Sequence, residues 1–290
     1  MAKQAATGFE DGLRRDIAIL STLAHLHCAT VSHLHALCFP FHTLATARLT
    51  LRYLAEANFI ARSMWRLKRE TDERGQVWVL TAKGFDLLQR YVPHVPPLAR
   101  ISLARPSTAV EHEEWRIRLQ VRTLLVRLVL EARQTRLLHA AEVQFPWSAS
   151  WPTAWGTAPL PVADACIIVT WQPAERKASD WLPWIDPTPA LGHTVHHPIY
   201  LERTQAHVNL LDLLPAWSQH HLDEEPIPLV IVRDDRRCQP LVQQLQAVAD
   251  APVVRLTNWA GLDGGLVHAR WWDEHGATRD LMPPHELKVA

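Results

Sequence analysis

Lysine is nearly missing from this chain of 290 residues: 5 lysines stand against 25 arginines. The compact ammonium is thus largely replaced by the planar guanidinium, which forks onto phosphate and guanine; a GC-rich coding sequence yields the same bias. Cysteine is scarce as well. The four residues, Cys28, Cys38, Cys166 and Cys238, are far apart and form no CxxC pair, which argues against a disulfide framework and fits reduced thiols in a cytoplasmic setting. No run approaches the ~18 apolar residues of a membrane span. The opening MAKQAATGFEDGLRRD has no apolar signal core, so neither a membrane partner nor an export signal is expected. No internal repeat is visible. A net charge of either sign is also lacking, since 30 Lys+Arg balance 30 Asp+Glu. Taken whole, that balance argues against a nucleic-acid protein.

What is present is globular composition, 48% apolar and 21% charged, on a length suited to two domains. The neutral total dissolves when the chain is split. Residues 1–105 hold 14 Lys+Arg and 8 Asp+Glu, a net of +6, whereas residues 106–290 hold 16 and 22, a net of −6. The Pro-containing stretch PHVPPLARISLARPS, residues 93–107, is the best boundary between the two. It predicts domains 1–105 and 106–290.

Within the basic half, Ile17, Leu20, Leu23 and Ala24 mark a helix over 9–27. Thr30 is placed to cap a short helix, VSHLHALCF, that stops before Pro40. Thr43 is placed to cap a third helix to about Asn58, with a stripe of Leu44, Ala47, Leu51 and Leu54. FIARSMWRL and QVWVL, separated by polar KRETDERG, read as a β-hairpin, and Thr81 starts the helix TAKGFDLLQRYV. Three helices, a hairpin and a further helix is the order of a winged helix-turn-helix domain. In the other half, a long helix at 110–133 precedes strands at 138–145, 162–170, 198–203, 228–233 and 252–256, with helices near 205–221 and 239–249. That alternation predicts an α/β unit with some parallel pairing. The Pro- and Trp-rich stretches 146–161 and 171–198 read as long loops.

In a helix-turn-helix, the second helix of the pair enters the major groove. With its Leu stripe inward, helix 43–58 turns out Thr46, Thr50, Arg52 and Tyr53, with Arg48 on the flank. His42 and Thr43 sit at its positive end, suited to a phosphate. The hairpin adds Arg62, Arg66, Lys68 and Arg69, with Arg74 near its tip. Such a cluster neutralises several backbone phosphates; the plainer reading is a solvated charged face or a protein-docking module. His25, His27, Cys28, His33, His35, Cys38 and His42 raise the question of zinc. Side chains two apart on a helix diverge, however, and no tight pair faces a second, so packed or exposed histidines are the default.

The segments LRYLAEANFIAR and VWVLTAKG resemble the bacterial replication-relaxation family, which is linked to plasmids and other mobile elements. The family shows an arginine- and leucine-rich third helix and a leucine-threonine-x-x-glycine step, here Leu80, Thr81 and Gly84. A helix opening with histidine follows, here His112 in VEHEEWR. Further on come a proline-x-aspartate-alanine step and a strand ending in glutamate. This chain has Pro161-Val162-Ala163-Asp164-Ala165, one residue longer before the aspartate, and Ile199-Tyr200-Leu201-Glu202-Arg203-Thr204. The likeness runs over roughly residues 10–250, and the order of the motifs carries it.

The resemblance implies a restriction-endonuclease-like second domain. That fold carries an aspartate on one strand and glutamate-x-lysine on the next, with the carboxylates holding Mg²⁺ and the cation aiding hydrolysis. Asp164 and Glu202 match the carboxylates, and Glu113 or Glu114 could add a third. The lysine position holds Thr204, while Arg203 would point to the other face. His207 or Gln205 are the nearest substitutes, and Lys177 falls in a predicted loop. The competing reading has Asp164 and Glu202 capping strands or pairing with an arginine. Trp147, Trp151, Trp155, Trp181 and Trp184 in the loops fit buried packing or a partner interface. The expected fold is therefore a two-domain α+β/α/β chain: a winged helix-turn-helix followed by a catalytically degenerate nuclease-like domain. The expected function is duplex DNA binding as an accessory or regulatory protein of a mobile element, without a required cofactor and with a homodimer or protein partners in view. A Mg²⁺-dependent nuclease and a protein-interaction module are the alternatives.

Overall fold

The structure of the protein, a computed structural model, describes residues 2–63, 76–92, 94–135, 138–144, 163–171, 193–202, 228–247, 254–263, 271–273 and 276–279, with 182, 266 and 269. The chain forms two compact units, Met1–Gln134 with Arg176–Thr188, and Thr135–Glu175 with Pro189–Ala290. It is a mixed α and β protein with two described sheets.

The first unit opens with α1 (Ala2–Leu26), α2 (Val31–Cys38) and α3 (Leu44–Glu56), followed by β1 (Ile60–Arg62), β2 (Trp78–Leu80) and α4 (Ala82–Leu88). The start signals read from the sequence are the ones used. Thr30, Thr43 and Thr81, all extended, each accept a hydrogen bond from the third residue of the helix they precede. The apolar stripe of α3 faces inward, with Ala47, Leu51 and Leu54 buried. β1 and β2 pair antiparallel, Ile60 opposite Leu80 and Arg62 opposite Trp78. Ala29 extends the pair by exchanging backbone hydrogen bonds of 3.0 and 2.8 Å with Trp78.

The long helix α5 (Ala109–Thr135) belongs to this first unit. The compact units thus divide the chain after α5, not at the 105/106 boundary suggested by the prolines of 93–107. The reason lies in the core. Trp115 and Leu119 of α5 pack with Cys28, Val77 and Val79, and Ile101 and Leu103 from the Pro-containing stretch pack on the same cluster. A stretch that packs two partly buried large side chains on the core is a packed connection, whatever its proline content. With the units as folded, the charge asymmetry widens. The first carries 21 Lys+Arg against 14 Asp+Glu, a net of +7, and the second 9 against 16, a net of −7.

The second unit is a seven-stranded sheet in sequence order, β3 (Leu138–Gln144), β4 (Ala165–Trp171), β5 (His193–Leu201), β6 (Leu229–Val232), β7 (Arg255–Asn258), β8 (Trp271–Trp272) and β9 (Thr278–Arg279). The β5–β6 and β6–β7 pairs are parallel and the others antiparallel, so the expected parallel element is present. Helix α6 (Asp235–Gln246) links β6 to β7. Its Cys238 and Leu245 pack on Cys166, Tyr200, Val230 and Leu256 of the sheet.

Several boundaries differ from the sequence reading: α1 starts at Ala2 rather than 9, α4 ends at Leu88 rather than 92, β7 runs Arg255–Asn258 rather than 252–256, and two further differences have a visible cause. β5 begins at His193, inside the stretch read as loop to 198, because its polar histidines hide the alternation. The strand runs opposite β4 from His193 to Ile199, and the parallel ladder to β6 starts only at Ile199. Pro198, with no N–H to give, thus precedes the second ladder. α6 begins at Asp235, upstream of the expected 239, since Asp234 caps it and Pro240 lies within it. The predicted helix 205–221 and the loop tryptophans Trp147, Trp151, Trp155, Trp181 and Trp184 lie outside the described residues.

Candidate functional site

α3 and the turn before it present the largest share of the predicted contact residues. His42, Thr43, Arg48, Arg52 and Tyr53 are exposed, Tyr53 by 60%. Thr46 and Thr50 are half-buried. The Thr43 hydroxyl accepts from Thr46 N at 3.2 Å and lies 3.1 Å from the Thr46 hydroxyl, while the Thr50 hydroxyl donates to Thr46 O at 3.1 Å. These three hydroxyls are therefore occupied within the helix. Arg62 on β1 is exposed and donates to Gln76 Oε1 at 3.5 Å. Arg66, Lys68, Arg69 and Arg74 lie outside the described residues. The sequence reading missed two neighbours, Phe41 and Leu49, which are 80% and 48% exposed. Leu49 lies off the inward stripe of α3, and that spacing was the available signal.

The orientation of α3 is fixed at its far end. Asn58 takes φ +61°, and the chain reverses with Phe59 N donating to Leu54 O and Asn58 N to Ala55 O, both at 2.9 Å. The leucine-threonine-x-x-glycine step then closes onto this turn. The Thr81 hydroxyl donates towards Asn58 O and Phe59 O at 2.7 and 2.9 Å while accepting from Gly84 N at 3.1 Å. Lys83 Nζ donates to Ala57 O at 2.9 Å, where a cation meets the negative end of α3. Gly84 has no side chain because there is no room: a Cβ there would sit 2.0 Å from Phe59 O. The motif thus anchors α3 from below.

α5 closes the other helices of the unit. The guanidinium of buried Arg122 donates through Nε to Leu26 O at the end of α1, and through Nη1 to Arg118 O at 2.6 Å. Arg133 donates to Ala36 O and Leu37 O, at 3.4 and 2.7 Å, at the end of α2. Each arginine places a cation at the negative end of a helix, against carbonyls of its last turn. His33 Nδ1 takes the Thr30 N–H at 3.5 Å, which leaves Nε2 to donate to the Thr123 hydroxyl of α5 at 3.0 Å.

The remaining histidines are similarly tied. His25 Nδ1 donates to Ser21 O at 2.9 Å and His35 Nε2 to His42 O at 2.8 Å. His27 takes φ +61° after α1, and burial, then the charges of Arg122, His25 and Arg118, push its pKa down to about 4. Burial pushes the Cys38 thiol up to about 11. All four cysteines are free thiols. Among the described residues, no group of three or more His, Cys, Asp or Glu is placed to hold a metal ion.

In the second unit, Asp164 and Glu202 lie at the same end of the neighbouring strands β4 and β5. Asp164 immediately precedes β4, and its Oδ2 accepts from Leu201 N, the residue before Glu202, at 2.8 Å. Glu202 Oε2 accepts from Arg233 N beyond β6 at 2.9 Å, and Oε1 pairs with Arg237 Nε of α6 at 3.1 Å. Each carboxylate therefore ties its strand to the end of the next. Arg237 is the residue that sequence spacing missed, because it reaches Glu202 from a helix 35 positions on. His207, Arg203, Thr204, Gln205 and Lys177 lie outside the described residues. Glu113, considered as a third carboxylate, is forked onto Arg116 of its own helix, and Glu114 is exposed.

Comparison with known proteins adds one match. The family model described as replication-relaxation covers residues 20–182, more than half of the chain, which therefore belongs to that family. No curated protein and no solved structure matches it.

Proposed function

We propose that this member of the replication-relaxation family binds duplex DNA as an accessory or regulatory protein of a plasmid or other mobile element. Family membership itself points to replication and mobile-element processes. The observation that carries the DNA reading is the solvent face of α3: Arg48 and Arg52 stand exposed one helical turn apart, on a unit of net charge +7. In this reading α2 and α3 are the helix-turn-helix, β1 and β2 are the wing, and α3 is the recognition helix. His42 and Thr43 guide a phosphate to the start of α3, and Arg62, Arg66, Lys68 and Arg69 follow the backbone from the wing.

The second unit is read as a restriction-endonuclease-like fold whose carboxylates serve the sheet. Support comes from Asp164 and Glu202, which accept backbone N–H groups at strand ends while Glu202 is neutralised by Arg237. A second reading, a Mg²⁺-dependent nuclease, draws on the placement of both carboxylates at the same end of neighbouring strands. It requires Asp164→Ala with Glu202→Ala to abolish Mg²⁺-dependent cleavage of duplex DNA.

The DNA reading is tested by the salt dependence of duplex binding by the full chain. Changing Arg48 and Arg52 together to Ala is expected to reduce the log–log salt slope by about 0.9 for each phosphate no longer neutralised, or to relax sequence preference where the arginine meets a base. Binding and slope equal to wild type would sink the proposal.

A further inference from the structure

We infer that α3 reads the 5-methyl group of thymine in the major groove through Leu49 and Tyr53, beside guanine contacts from Arg48 and Arg52. The inference rests on the duplex-DNA reading and adds the base chemistry.

The argument begins with apolar side chains that packing does not explain. Among the described residues five large hydrophobics are well exposed, and Phe41, Leu49 and Tyr53 fall on α3 and the turn before it. The core-facing stripe of α3 is already supplied by Ala47, Leu51 and Leu54. Leu49, 48% exposed, lies off that buried stripe. A surface that only held phosphates would be served by cations and hydroxyls.

The arrangement of these residues is the second observation. Positions 48 and 52, and 49 and 53, are each four apart, so they form two adjacent rows on the exposed face, one cationic and one apolar. Four residues of helix rise about 6 Å, close to two base steps of about 3.4 Å. Successive residues of each row therefore face base pairs about two steps apart. The hydroxyls of Thr43, Thr46 and Thr50 each make a hydrogen bond within the helix, which favours the arginines and the apolar row for the base edges. In the major groove, arginine is matched by guanine O6 and N7, and an apolar side chain by the thymine methyl.

The test uses the full chain. Duplexes are enriched from a random-sequence library, and the best is remade with deoxyuridine in place of thymidine, one position at a time. At one position or more, loss of the methyl is expected to weaken binding about fourfold, the factor equivalent to about 0.8 kcal/mol for one buried carbon. In Leu49→Ala or Tyr53→Ala, the thymine and uracil duplexes should bind alike at that position. A duplex whose binding depends on Arg48 and Arg52 but tolerates uracil everywhere overturns the inference and leaves the DNA reading standing. So does a uracil effect that survives in both variants. Should no duplex be enriched while Leu49→Ala or Tyr53→Ala converts a larger species to a smaller one by light scattering, the face is a protein interface and both readings fall.

Discussion

Gly84 shows how much a single missing side chain settles. The leucine-threonine-x-x-glycine step was legible as a motif, but its physical content emerges only where α4 meets the end of α3. The glycine lets α4 approach until Phe59 O lies 2.0 Å from where a Cβ would stand, with the Leu80 side chain at 2.8 Å. Backbone cannot retreat as a flexible side chain can. Gly84→Ala is therefore expected to destabilise the first unit by about 1–3 kcal/mol, the ordinary range for overpacking, and to loosen α3 with it. Urea unfolding followed by circular dichroism checks this, and a midpoint unchanged from wild type would show that α4 shifts freely. Thr81 and Lys83, which bond the same turn, complete a step whose spacing was visible in the sequence and whose target was not.

At the level of elements, α5 is held by side chains that sequence periodicity cannot assign. Arg122 and Arg133 lie on a helix with charges along its length and read, one by one, as surface residues. In the fold Arg122 is 2% exposed and seals the end of α1, and Arg133 seals α2. Arg122→Ala should cost about 2–4 kcal/mol, combining a cavity with the loss of a buried charge-assisted hydrogen bond to Leu26 O, which then keeps only the Cys28 N–H. A thermal melt of the full chain would register the loss, and a cost below about 0.5 kcal/mol would show that α5 merely leans on the unit. The caps of α2, α3 and α4, the stripe of α3 and the existence of strands β3 to β7 were legible, because each depends on neighbours within a few positions. The attachment of α5, the early start of β5 and the reach of Arg237 to Glu202 were not. They are fixed by partners 96, 22 and 35 residues away in the chain, and a local pattern carries no trace of such a partner. The candidate site divides in the same way. The cationic face of α3 followed from its spacing, whereas the occupied threonine hydroxyls and the exposed Leu49 needed the fold.

For the whole molecule, a net charge of zero conceals two units of +7 and −7, and the sequence pI of about 7.3 puts the balance point near neutrality. Molecules built this way attract one another, basic unit to acidic unit, when little salt is present to screen them. Light scattering at neutral pH should show association at low ionic strength that disperses as salt is added. A particle size independent of salt would mean that the opposed charges do not meet between copies. Duplex DNA, by occupying the basic unit, should suppress the same association.

The two arginine clamps also set a schedule for synthesis. The carbonyls of Leu26 and Leu37 emerge from the ribosome 96 residues before Arg122 and Arg133. At roughly 5–20 residues per second, that gap lasts about 5–20 s. From the emergence of Val79 until Trp115 and Leu119 follow 36 and 40 residues later, about 2–8 s at the same rate, the nascent unit has its first three helices and its strand pair but nothing of α5 to cover Cys28, Val77 and Val79. α5 is thus a late-arriving latch. The half proposed to grip DNA cannot complete its packing before nearly half of the chain has been made.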